Sequence, residues 1–157
     1  MPPRPPRPPA PNTPPRIIGQ TPLDPRLTFY RSLDCLEFNP QFTLTVDEMD
    51  ATDSLSSLWF VDESSTAQPF LPPILPPSSL TQRSVSQPLS LNFKNALANL
   101  PIGLHALTAY VADGVFDEVV DQRINATRFE SLADGGSEAV QASIVTVNWA
   151  LDVAQCP

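Results

Sequence analysis

An all-β fold, antiparallel sheets packed as a sandwich behind a proline-rich N-terminal stalk, is predicted by three observations. Apolar residues recur with a period of two, turn-forming stretches divide them into at least six short runs, and nine of the 20 prolines fall in the first 15 residues. Strict alternation marks half-buried strands, and several such strands separated by turns argue for a sandwich. The opening segment, residues 1–16, can form neither helix nor sheet, because proline fixes φ and offers no N–H. It reads as a disordered, extended polyproline-type rod of about 45 Å. We therefore place a stalk over residues 1–21 and one domain over 22–157. Pro2 to Arg7 also spells a P-x-x-P-x-R pattern, a ligand type for SH3 domains, but a spacer is the simpler reading.

The strands follow in order. Leu27 and Phe29 start the first, over 27–33. Phe42, Leu44 and Val46 alternate with Thr43 and Thr45 in the second, over 41–47, and Trp59 centres the third, over 55–62. Leu89, Leu91 and Phe93 suggest a fourth over 89–94, with a short turn near 94–100 as the one hint of helix. Leu107, Ala109 and Val111 share a face of 104–113, and Val145, Val147, Trp149, Leu151 and Val153 form the longest series, over 143–153. Two stretches interrupt the pattern. Residues 63–88 hold six prolines and read as a long crossover, and residues 114–140 read as an excursion between the last two strands. The apolar run at 70–75 is expected to cover a sheet edge, or else to present a partner-binding patch.

Charge is segregated along the chain. Residues 1–31 carry a net +4 and the remainder −12, within a total of −8. An acidic body lacks the basic stripe that phosphate backbones require, so nucleic acid is not an expected partner. No apolar run reaches the length of a membrane span, and Met1 is followed by proline and arginine rather than by a signal-peptide core. No G-x-S-x-G, P-loop or H-E-x-x-H motif is present. His105 is the single histidine, Ser137 after two glycines reads as a turn residue, and carboxylates on loops without a cleft do not make a glycosidase. Catalysis is not expected. Asn125-Ala126-Thr127 matches an N-glycosylation sequon, which carries meaning only in a eukaryotic secretory pathway.

The stretch from Val46 through Asp47, Glu48, Asp50, Asp53 and Leu55 into Trp59-Phe60-Val61-Asp62 resembles bacterial extracellular immunoglobulin-like domains of the cadherin-like and PKD-like kind. So do Leu100-Pro101-Ile102-Gly103 through Val111-Ala112-Asp113-Gly114, and the closing Trp149-Ala150-Leu151-Asp152-Val153. The resemblance implies an immunoglobulin-like sandwich over about residues 22–154. It also implies an exported or cell-envelope structural or interaction module, as in a surface lipoprotein, with protein or envelope components as partners. In such a fold the first and last strands pair in parallel, so Cys35 and Cys156 fall at one pole, where a disulfide would require an oxidising compartment. Two unpaired thiols in a reducing cytosol are the alternative. His105, two residues before the inward Leu107, takes the place of the tyrosine that ties the corner before this strand to backbone. Trp59 and Trp149 are expected in the core. The same fold brings the acidic turn after the second strand beside the segment starting at Asp113. This makes Asp47, Asp50, Asp53, Asp113 and Asp117 candidate Ca²⁺ ligands, with Glu48, Glu118 and Asp121 in the same acidic group, and a calcium-dependent adhesion-type domain the alternative function. No other cofactor is implied.

Overall fold

The computed structural model describes residues 2–3, 12–30, 41–64, 67–117 and 123–155. Ten strands and one helix follow in order: β1 (Arg16–Thr21), β2 (Arg26–Tyr30), β3 (Thr43–Asp47), β4 (Ser56–Val61), β5 (Gln82–Ser86), α1 (Leu91–Ala98), β6 (Gly103–Ala112), β7 (Val115–Phe116), β8 (Ala126–Ser131), β9 (Ser137–Gln141) and β10 (Ile144–Ala154). They form three sheets, ordered β1-β3-β5, β2-β10-β6-β4 and β7-β8-β9. All pairings are antiparallel except β2 with β10, which run parallel in the register Ala150↔Arg26 to Ala154↔Tyr30.

The period-two pattern translates directly into the core. Phe42, Leu44 and Val46 are fully buried while Thr43 and Thr45 between them are only half-buried. Facing them are Leu55, just ahead of β4, and, from the four-stranded sheet, Trp59, Leu107, Ala109, Val111, Trp149, Leu151 and Val153, all in one apolar cluster. Aromatic rings join the two sheets. Trp59 stacks on Trp149 at 5.9 Å between centroids, and Phe42 meets Trp149 edge-on at 5.1 Å. Each indole N–H is satisfied, by Ser57 Oγ and by the Pro22 carbonyl respectively, so neither tryptophan carries an orphaned donor into the core.

Three expectations change. Residues 16–21, assigned to the stalk, are strand β1, antiparallel to β3. The backbone of Ile17 to Thr21 completes a ladder along β3 that would otherwise be an open edge. Residues 89–94, read as a strand, begin helix α1 instead. Leu89 and Leu91 are exposed, while Phe93 and Leu97, one helical turn apart, point into the core, and Ser90 Oγ accepts from Phe93 N as N-cap. The strand that belongs to this part of the chain is β5, inside the stretch read as crossover. Its Arg83 and Val85 are buried against β3 while Gln82, Ser84 and Ser86 face out. The rest of the crossover runs along β4: Leu55 and Leu75, then Trp59 and Phe70, exchange paired backbone hydrogen bonds, and these cover the β4 edge.

Residues 114–140 carry a small third sheet. A hairpin of β8 and β9 pairs through β7 and rests on Ala112, Ala126 and Ala142. Its approach is tight at Gly114, where an added Cβ would lie 2.3 Å from the Thr127 carbonyl oxygen. Ser56 Oγ fixes the same spot by donating to the Gly114 carbonyl. Among the described residues no helix is long and apolar enough to cross a membrane.

Candidate metal centre

Strand β3 ends at Asp47, and the next residues turn back toward β4. Glu48 Oε1 accepts from Asp50 N at 2.9 Å, Asp50 Oδ1 accepts from both the amide and the hydroxyl of Thr52, and Asp53 N donates to Asp50 O. Carboxylates suit such turns because they satisfy local N–H groups that no ladder reaches. The buried Arg83 of β5 clips the turn, donating four hydrogen bonds to the backbone carbonyls of Asp50, Asp53, Ser78 and Leu80.

This turn delivers Glu48 and Asp53 to the end of β6, where Asp113 sits. The three side chains are 1%, 4% and 0% exposed, and one oxygen from each lies within 4.8 Å of the others. Asp113 is held by Ser143 N on Oδ1 and by Asn12 Nδ2 on Oδ2, both at 2.7 Å. Asp53 Oδ1 is held by the guanidinium of Arg128, on β8, which also pairs with Glu130 and Asp50. Buried carboxylates this close repel one another and lose hydration. Burial pushes the Glu48 carboxyl above its usual range. It does the same to Asp53 in spite of Arg128. Asp50, more exposed and hydrogen-bonded by Thr52, is held below its own.

The hydrogen-bond accounting leaves a remainder. Glu48 Oε2, Asp53 Oδ2 and Asn12 Oδ1 are buried without any partner. A buried acceptor left unpaired costs about 1–3 kcal/mol, and more when charged. Glu48 and Asp53, each with one unpartnered oxygen, converge with Asp113 as an all-oxygen donor set without imidazole or thiolate, which fits a hard divalent cation such as Ca²⁺ rather than zinc.

Of the candidate ligands named from the sequence, Asp53 and Asp113 are in this cluster. Asp50 is beside it and committed to Thr52 and Arg128. Asp47 lies on β3 and pairs with the exposed Arg16. Asp117 accepts from Thr127 Oγ1 on the third sheet and is outside the triad. Glu118 and Asp121 lie outside the described residues, as do Cys35 and Cys156. Glu48 belonged to the acidic group but not to the ligand set. Its neighbour Asp47 points the other way, as alternation demands. Asn12 was missed because it sits among prolines assigned to a stalk. His105 is at the opposite end of β6, roughly 25 Å from Asp113 at strand rise. There Nδ1 contacts Asp62 Oδ2 at 2.5 Å and Nε2 contacts Pro101 O at 2.7 Å, tying the strand to the preceding corner.

No family model matches the chain, and neither a curated protein nor a solved structure matches it.

Proposed function

We propose that the chain is a non-catalytic structural or interaction module, an immunoglobulin-like sandwich displayed outside the cytoplasm, whose N-terminal segment is locked to the sheets by Ca²⁺. The observation that carries this reading is the trio of partnerless buried oxygens, Glu48 Oε2, Asp53 Oδ2 and Asn12 Oδ1, beside Asp113. A cation there relieves the mutual repulsion of three carboxylates. Asn12, from ahead of β1, donates to Asp113 of this cluster, so occupancy steadies how the proline-rich segment leaves the domain. Buried Pro15 supports that anchoring.

Thermal unfolding tests it. Millimolar Ca²⁺ should raise Tm by on the order of 5–10 °C over chelator-treated protein, as expected for a ligand near a hundred times its Kd. Asp113→Asn keeps the side chain's size but removes its charge and one of its two acceptor oxygens, so it should lose more than half of that shift. An unchanged Tm on adding Ca²⁺ removes the calcium reading.

The location outside the cytoplasm rests on the cysteines. Because β2 and β10 run parallel, the chain leaves both at the same end, and Cys35 and Cys156 follow within five and two residues. A disulfide there closes a loop long enough to contribute about 4–5 kcal/mol in the chain-entropy model. Intact mass of protein made in an oxidising compartment should be lighter by two hydrogens, with both thiols refractory to alkylation until reduced. Free thiols in folded protein would sink this location.

A further inference from the structure

Among the described residues β9 pairs with β8 alone, which leaves its far side an open edge. Ser137, Glu138 and Ala139 are all exposed, so neither face of its first half is covered. An open edge is a template for another strand, and proteins commonly blunt such edges with proline or charge. Prolines border the edges of the other two sheets: Pro15 and Pro22 at β1, Pro25 at β2, Pro69 to Pro77 beside β4, and Pro88 after β5. None lies between Pro101 and Pro157, so β9 keeps every backbone donor.

The direction of those donors follows from the register. Ala142 N donates to Ala126 O and Leu132 N to Gly136 O, at the two ends of the β8–β9 ladder. Hydrogen-bonded and non-hydrogen-bonded pairs alternate along an antiparallel ladder, so Arg128 with Val140 and Glu130 with Glu138 are the pairs that exchange bonds between. The backbone N–H and C=O groups of Ser137, Ala139 and Gln141 therefore point away from β8, along the open edge.

We propose that β9 pairs with β9 of a second copy of this chain, antiparallel and centred on Ala139, so that the two third sheets join across a two-fold axis. Only residues with outward backbone groups can exchange bonds, and this register uses all three. Ser137 meets the partner's Gln141, Ala139 meets the partner's Ala139 and Gln141 meets the partner's Ser137, giving about six backbone hydrogen bonds. The side chains agree with it. Glu138 falls opposite the partner's Val140 rather than another carboxylate, hydroxyl falls opposite amide at Ser137 and Gln141, and the alanines meet on the axis. A register centred on Glu138 sets like charges directly opposite, which destabilises a strand pair. One centred on Val140 strands Ser137, because its counterpart Ser143 is already bound to Asp113 through both N–H and C=O.

A second copy is favoured over a foreign strand because these five residues complement themselves. The sheet face that carries Phe129, which is 64% exposed, is also free of charge along the seam: Phe129 lies in one row with Ala139, beside Thr127 with Gln141 and Ser131 with Ser137. Two chains of net charge −8 can meet there without repulsion from that face. The pairing uses none of the carboxylates of the candidate cation site and does not depend on it.

Sedimentation equilibrium of the intact chain tests the pairing. The mass should climb from 17.1 kDa toward twice that value as concentration rises through about 10–100 µM, the range of a small interface, and return on dilution. Ala139→Pro removes an N–H on the open side only, so the intrachain ladder is kept. It should weaken association about tenfold or more, the scale of two lost backbone hydrogen bonds, with Tm unchanged. Ala139→Lys and Ala139→Glu each place like charges on the axis and should each remain monomeric, while an equimolar mixture of the two should dimerise. A native chain that stays monomeric up to about 1 mM overturns the proposal. So does a dimer indifferent to substitution at Ala139, and so does a mixture of the two charged variants no heavier than its components.

Discussion

Single side chains at the two ends of β6 face opposite electrostatic problems. At one end His105 lies between Asp62 and the Pro101 carbonyl, so both ring nitrogens meet acceptors and the imidazolium is the form that satisfies both. Burial works against that charge, but the hydrogen bonds to Asp62 and Pro101 outweigh it and hold the pKa above its ordinary 6.5. The sign follows from linkage: a raised histidine contributes its full stability below about 6.5 and loses it as pH rises through the folded-state value. Urea midpoints across pH 5.5–9 should fall for the native chain over that window and stay flatter for His105→Gln. Parallel profiles would show that His105 is not coupled to folding. At the other end the carboxylates of Glu48 and Asp53 outnumber their donors. Legibility at this scale was uneven. His105 could be read because it is the lone histidine beside a Leu-Pro-x-Gly corner, Asp53 because it closes an acidic turn ahead of an apolar run, and Asp113 because it ends one. Arg83 and Arg128 gave no signal, since a buried arginine differs from a surface one only in its neighbours.

Whole elements show where pattern reading stops. Strands β3, β6 and β10 were legible because their inward residues form a period-two apolar series, whereas β4, buried at five of its six positions, was legible as an apolar run around Trp59. The Leu89, Leu91, Phe93 alternation looked the same but belongs to a capped helix start. Its first two leucines are exposed, and only the i, i+4 pair Phe93 and Leu97 is core. Strand β5 was hidden by its short pattern of buried Arg83 and Val85, where an arginine takes an inward place. The β8–β9 hairpin was legible only as an excursion, because its apolar residues serve a small alanine cluster rather than the main core. Gly114 is the hinge point of that docking. Gly114→Ala should cost about 3 kcal/mol or more in chemical denaturation, since the Thr127 backbone must move to admit a methyl group. The same shift displaces Arg128 from Asp53, so the Ca²⁺-induced rise in Tm should shrink in parallel. A variant with wild-type stability would mean the hairpin is not held as described.

Across the molecule, residues distant in sequence converge on one spot. Asn12, Glu48, Asp53 and Asp113 come from ahead of β1, from the β3–β4 turn and from the end of β6, and Arg128 reaches in from β8. The first of these arrives through residues that looked like a spacer. This arrangement determines how the domain carries mechanical load. A pull on the start of the chain acts on Asn12 before it reaches the β1–β3 ladder, so the Asn12–Asp113 hydrogen bond, made to a carboxylate of the candidate site, is the first in series with the applied force. Stretching single molecules from the N-terminus should therefore give a rupture force that rises with Ca²⁺ and falls on chelation. The ion would then set how firmly the domain holds its tether.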